Sequence, residues 1–246
     1  MERCIDDEIP FEIPDSWEWA RLKTVGITQT GNTPSKTHPE YFGNDVPFIG
    51  PGDIQNANID YCNQGLSASG RNCGRITPKG SILQVCIGGS IGKAAIALKE
   101  VAFNQQINAI IPIILDSDYL HFVMISPYYI EYMRENAGGT ATPIINRGLW
   151  DNLLVPIPPQ KEQKRIALII LETFKKAEQM SNQGVCILHT PRSLPIYNFV
   201  NDFPLLCSCL AQINPCCFNT FMPHKICKES YIVTSLQKAL GKAMTE

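Results

Sequence analysis

The sequence predicts an α+β fold, a strand-rich domain followed by one long helix. From Ile9 to about Pro158, short apolar runs alternate with turn-forming clusters, the pattern of short strands. From about Pro159 to Met180 the turn residues vanish and apolar side chains recur at helical spacing. A third observation concerns chemistry. Between Asp60 and Glu100 lie five basic residues, Arg71, Arg75, Lys79, Lys93 and Lys99, and no acid.

In chain order, the strands are expected at Val46-Pro47-Phe48-Ile49, Ser81 to Val85, Ala94 to Leu98 and Ile107 to Ile113. Each is rich in β-branched or other apolar residues. They are punctuated by Gly31-Asn32-Thr33-Pro34, Gly50-Pro51-Gly52-Asp53, Pro78-Lys79-Gly80 and Gly88-Gly89. One helix is expected from Ser117 to about Asn136, ending before Gly138-Gly139, with the strand pattern resuming from Thr142 to Val155. The long helix opens with Pro159, suited to a first helical position, and is filled with Lys, Glu, Gln and Ala. Ile166, Ile169, Ile170, Phe174 and Ala177 share one of its faces, while Leu168 and Leu171 lie off it. A terminal helix apolar on two sides needs a partner beyond its own domain, although one side can pack on the preceding strands. The Ile166 to Ala177 stripe is therefore expected to be the partner or dimer face.

Three segments result: 1–158, 159–181 and 182–246. The last has weak periodicity and holds six of the ten cysteines, Cys186, Cys207, Cys209, Cys216, Cys217 and Cys227. Their spacings, and that of His224 to Cys227, do not match the usual zinc ribbons or fingers. This tail is expected to be poorly ordered or foreign to the rest, and no metal or function is assigned to it.

The chain is slightly acidic, with a net charge of −2. Residues 1–158 hold 11 Lys+Arg against 17 Asp+Glu, whereas 159–181 and 182–246 hold 5 against 3 each. A general nucleic-acid coat protein is basic throughout, so any contact with nucleic acid here must be local and selective. No apolar run of about 18 residues is present, so no membrane span is expected. Met1 to Glu12 holds five acids and lacks the apolar core of a secretory signal. The cytoplasm is the expected location.

The basic window is also rich in amides, and points to one face built for phosphates and base edges. Arg71, Arg75, Lys79 and Lys93 are candidates for phosphates, and either Arg for guanine. Gln64 and Asn72 have the amide geometry that pairs with adenine. Gln105 and Gln106 extend the set, with Lys36 and Arg147 as secondary candidates. Asn104 suits the capping of a buried turn. Trp17, Trp19 and Trp150 read as core aromatics. His38 and His121 stand alone.

Catalytic readings fail on the residues. Gly88 to Ala94 resembles a phosphate-binding loop, but Ile87 stands at the required first glycine and Ala94 replaces the magnesium-binding Ser/Thr. Asp151 with Glu162-Gln163-Lys164 has the spacing of a nuclease centre. However, helical residues two apart face away from one another, and Glu162 is better placed as an acid at a helix start. The Asn/Asp-Pro-Pro-aromatic loop of adenine methyl transfer is lacking. No residue is assigned a catalytic or metal-binding role.

Ile13-Pro14-Asp15-Ser16-Trp17-Glu18-Trp19 followed by Leu22 is similar to the opening of the Type I restriction–modification specificity subunits. Gly31 to Ser35, Tyr41, Val46 to Ile49, Asp53-Ile54 and Pro78 to Leu83 resemble that family's next landmarks in order. Gly89-Ser90-Ile91-Gly92-Lys93-Ala94 and Phe103-Asn104-Gln105-Gln106-Ile107-Asn108 are the most recognisable pair. Gly139-Thr140, Leu153 to Pro159, Glu162-Gln163 and Ile166 complete the set.

The resemblance implies a target recognition domain joined to a spacer helix. In the family, two such units in tandem each read half of a split DNA site, and their helices pair as an antiparallel coiled coil. Here one unit is present, with a helix of about 22 residues, or about 33 Å. A half-subunit is implied, completed by a homodimer, with half-sites as inverted copies, or by a second specificity half. The implied partners are double-stranded DNA, a methyltransferase (modification) subunit and a restriction subunit. The implied cofactors, S-adenosylmethionine, ATP and magnesium, belong to those subunits, leaving this chain non-catalytic and with none of its own. Two other readings stand beside it: a remnant that docks the modification subunit without reading DNA, and the recognition domain of a single-chain restriction enzyme.

Overall fold

The computed structural model describes residues 4–139 and 142–182. Strand β1 (Glu18–Arg21) leads through one helical turn, α1 (Leu22–Val25), into β2 (Gly26–Thr30). Five two-residue strands follow: β3 (Phe42–Gly43), β4 (Phe48–Ile49), β5 (Ile54–Gln55), β6 (Asn58–Ile59) and β7 (Gly65–Leu66). Helical turn α2 (Ala68–Arg71) and β8 (Ile76–Thr77) lead to β9 (Ile82–Val85), β10 (Ala94–Ile96), β11 (Val101–Phe103) and β12 (Ile107–Pro112). Helices α3 (Ser117–Met124), α4 (Pro127–Glu135) and α5 (Arg147–Asp151) precede β13 (Leu154–Ile157) and the long α6 (Gln160–Asn182).

The main sheet has the order β10-β9-β12-β2 and is antiparallel throughout. A second sheet runs β4-β11-β8, and β1 pairs with β13. Alternation along the strands sends side chains to two cores. Ile82 and Ile110 join α3, α4, α5 and α6 on one side, while Leu83, Val85, Ile107 and Ala109 meet Phe103, Ile49 and Ile54 on the other.

The register fixes what lies at each end of this sheet. Ile107 faces Val85, Asn108 faces Thr30, and Ala94 faces Gln84. One end therefore gathers Gly31, Val85, Lys93 and Gln106. The other gathers the Pro78–Gly80 turn, Leu98, Ile113 and the start of β2, as the bonds Gly80 N to Ala97 O (2.8 Å) and Ile113 N to Val25 O (3.0 Å) show. Buried Gln84 braces the first end. Its amide donates to Met124 O (3.0 Å) and Gly92 O (3.3 Å), and its carbonyl accepts from Trp150 Nε1 (2.8 Å).

Several expectations are corrected. The helix expected from Ser117 to Asn136 is two helices. Pro127 has no N–H to continue the first and suits the start of the second, which Ser126 caps by accepting from Tyr129 N (3.3 Å). The strand expected from Thr142 to Val155 is interrupted by α5, capped where Asn146 accepts from Leu149 N (3.0 Å), and the strand proper begins at Leu154. Of Val46 to Ile49 only the last two residues form a strand, while Val46 makes an isolated bridge to Leu66.

The expected partner face of the long helix is also corrected. Ile166, Ala167 and Ile170 are buried in the chain's own core, with Ile169 and Phe174 packed against it. The Phe174 ring lies 6.1 Å from that of Phe122 on α3. Gln163 locks this docking: it accepts from Asp116 N (2.8 Å) and donates to Pro158 O (2.9 Å). Leu168 on the opposite side is the exposed apolar residue, at 59%. The side chain of Ala177 lies outside the described residues, as do Thr140 and the tail at 183–246.

Candidate nucleic-acid interface

Three loops from distant parts of the sequence meet at the Gly31 end of the main sheet. The first leaves β2 at Gly31, which passes so close to the backbone of Phe103 and Asn104 that an added Cβ would collide with both carbonyls. Asn32 then bonds in two directions, its N–H to Phe103 O (3.0 Å) and its Nδ2 to Cys73 O (2.7 Å). Its Oδ1 is buried without a partner. Thr33 Oγ1 donates to Gln105 Oε1 (2.7 Å).

The second loop joins β11 to β12. Asn104 Oδ1 accepts from Gln106 N (3.0 Å) and its Nδ2 donates to Gln106 Oε1 (3.2 Å). Asn104 thus caps this turn, as expected, and leaves Gln105 exposed at its tip. The third loop, after α2, carries exposed Asn72, Cys73 and Arg75. It is fastened to the first beyond Asn32. Ser69 Oγ donates to Glu40 O (2.9 Å), and Gly70 packs directly on the Tyr41 carbonyl. The Cys73 thiol hydrogen-bonds the Tyr41 phenol and raises its pKa.

Of the residues singled out from sequence, this end brings together Asn72, Arg75, Gln105 and Gln106, with Lys36 exposed three residues beyond Thr33. Lys93 joins them across β9, about 10 Å away at two strand spacings. Its loop turns at Gly92, whose φ of +93° suits glycine. Among the described residues no carboxylate pairs with Lys36, Arg75 or Lys93.

The other candidates are placed differently. Arg71 is ion-paired with Glu100, both partly exposed. Lys99 lies 4.7 Å over the Tyr61 ring. Lys79 sits on the turn at the opposite end of the sheet. Gln64 is exposed beside Asn63, which donates to Asp53. Arg147 opens α5 and reaches Asp151 at 3.7 Å. Glu162 accepts from Trp17 Nε1 (3.2 Å) and Asp151 faces Arg147, so neither carboxylate is arranged as a nuclease pair. Among the described residues no three His, Cys, Asp or Glu side chains group as a metal site.

Sequence reading missed Asn32 and Thr33 as polar links, Gln84 as a buried brace and Glu100 as the partner of Arg71. The first two were visible only as turn punctuation. Gln84 carries a signal, a polar residue inside an otherwise apolar strand. Glu100 bounds the acid-free window in sequence, and only the fold brings it back to Arg71.

The family model for the Type I restriction modification DNA specificity domain matches residues 14–184. The chain belongs to this family. It is 32% identical over 165 residues to the Type I restriction enzyme MjaIX specificity subunit of Methanocaldococcus jannaschii, covering 65% of this chain and 38% of that protein. It is 34% identical over 175 residues to the HindI specificity subunit of Haemophilus influenzae, covering 67% and 38%. The HsdS subunit from Thermoanaerobacter tengcongensis shares the fold, with a TM-score of 0.56 at 17% identity over 80% of this chain and 45% of that one. A structure described for the assembly and conformational transition of a type I R-M system gives 0.55 at 16%, over 82% and 47%. The specificity domain thus spans less than half the length of each of these relatives.

Proposed function

We propose that this chain is a DNA-binding specificity half-subunit of a Type I restriction–modification system, reading one half-site in double-stranded DNA. The observation that carries the reading is the meeting of three cross-linked loops at one end of the main sheet, presenting Asn72, Arg75 and Gln105, with Lys93 on a fourth loop at the same end. Amides and guanidinium groups read base edges, and lysines hold the phosphates that set register. Family membership supports the same role, because the curated relatives are specificity subunits.

In this reading the chain is non-catalytic and works in the cytoplasm. It docks a methyltransferase subunit and, through the complex, a restriction subunit. S-adenosylmethionine, ATP and magnesium serve those subunits. The other half-site is read by a further recognition unit of the assembly, with α6 pairing in an antiparallel coiled coil. Because the Ile166–Ile170 face is already buried, that pairing falls to the side bearing Leu168 and Leu171.

A second reading has its own observation. The Arg71–Glu100 pair and the excess of acids over bases in residues 1–158 favour a remnant that docks the modification subunit without reading DNA. One experiment separates them: selection from a random duplex library by the full chain together with a candidate modification subunit, at moderate salt. Enrichment of a short motif supports the half-site reader, and an inverted repeat adds dimerisation. A stable protein complex with no enriched motif establishes the remnant.

A further inference from the structure

Gln105 differs from Asn72, the other exposed amide at this end, in how it is held. Its turn is hydrogen-bonded on both flanks: Asn104 N donates to Ile49 O (3.0 Å), Cys86 N to Gln106 O (2.9 Å), and Gly31 N to Ile107 O (3.1 Å). The backbone beneath Gln105 is therefore fixed by three neighbouring segments. The side chain is fixed as well, by the 2.7 Å bond from Thr33 Oγ1 to Oε1. An exposed glutamine ordinarily loses side-chain freedom on binding, which costs affinity. Here that ordering precedes binding.

We infer that Thr33 is a positioning residue that presents the Gln105 amide, NH2 outward, to a hydrogen-bond acceptor on a base edge. With Oε1 accepting from the Thr33 hydroxyl, Nε2 has no hydrogen-bond partner among the described residues, and its two donors are free for a ligand. A pair of donors suits the adjacent N7 and O6 acceptors of guanine in the major groove. Adenine would need the amide to supply an acceptor and a donor side by side. The inference rests on the DNA-reading function proposed above.

The test compares the wild-type chain, Thr33→Val, Thr33→Ser and Gln105→Ala, each selected together with the same candidate modification subunit against the same random duplex library. Thr33→Val is expected to lose preference at a single guanine position by about tenfold, within the range of one base-edge contact. Gln105→Ala should lose preference at that same position, while Thr33→Ser, which restores the hydroxyl, recovers it. Side-chain amide NMR on the free proteins supplies a second readout, the Gln105 NH2 signal shifting and sharpening in Thr33→Val but not in Thr33→Ser. Unchanged preference in Thr33→Val, or weakening spread evenly over all positions, overturns the inference and leaves the DNA-reading function standing. A wild-type chain that enriches no motif fails before any variant is compared, and removes the function and this inference together.

Discussion

The two ends of the main sheet are built from the same four strands, yet they are different kinds of surface. At the Gly31 end, Asn32 and Thr33 tie loops that are 41 and 72 residues apart in sequence, and Asn104 closes the turn that carries Gln105. Amides and cations stand on a backbone held by these bonds. At the other end Lys79 stands on a short turn beside Leu98 and Ile113, both more than 60% exposed. A cation on such a turn is a solvated charge. A cation beside cross-linked amides is part of an arranged group, and prearranged groups bind with less loss of conformational freedom. Position in the fold, more than charge alone, separates Lys93 from Lys79.

The largest expected effect breaks the brace behind the Gly31 end. Gln84→Ala removes both donations and strands the indole N–H of Trp150, at a cost of about 3 kcal/mol. A thermal melt should fall by about 10 °C for a domain of this size, and the Gly92–Lys93 loop should show faster amide exchange. A melt unchanged within about 1 °C would contradict the bracing role.

A comparable effect is expected from pH. Burial lowers the His121 pKa from 6.5 to about 4, against the opposing hydrogen bond to Ala94 O at the start of β10. The unfolded chain therefore takes up a proton between pH 6.5 and 4 that the folded chain refuses. This contribution to stability is complete above pH 6.5 and falls by about 3 kcal/mol as pH drops to 4. His121→Gln should flatten the difference curve in denaturant titrations across that window, and an unchanged slope would exclude His121 as its source.

Binding distinguishes the ends more directly. Lys93→Ala should weaken duplex binding about tenfold and reduce its salt dependence by about one ion, whereas Lys79→Ala should change neither. Equal losses would erase the distinction between the ends. The smallest effect is the release of Arg71. Glu100→Gln should tighten binding about two- to threefold at low salt, a gain that vanishes as salt screens the surface.

Much of the fold was legible because strands and turns leave local signals. β9, β10 and β12 follow apolar runs bounded by glycine and proline, and α6 follows its own period. Misreadings arose where two local signals competed. The periodicity from Ser117 onward continued across Ser126-Pro127, although that pair both ends one helix and starts another. Asn146 caps α5 inside a run that otherwise alternates like a strand. For α6 the sequence carried two apolar sides, but which of them faced inward depended on Phe122 and Asp116 of a neighbouring helix, and spacing within α6 holds no record of that. The candidate site was legible as a list of residue types. The basic window ran along the chain, and the chain crosses from one end of the sheet to the other between Lys79 and Lys93. Thr33 and Gln105 meet only because β2 and β12 pair.

The central claim is that DNA lies against the Gly31 end. It is tested most directly by site-specific photocrosslinking of the full chain, with a photoreactive residue placed at Gln105 in one protein and at Lys79 in another, each bound to duplex DNA. The account predicts strong crosslinking from position 105 and background levels from position 79. Crosslinking from position 79 with none from position 105 would contradict it.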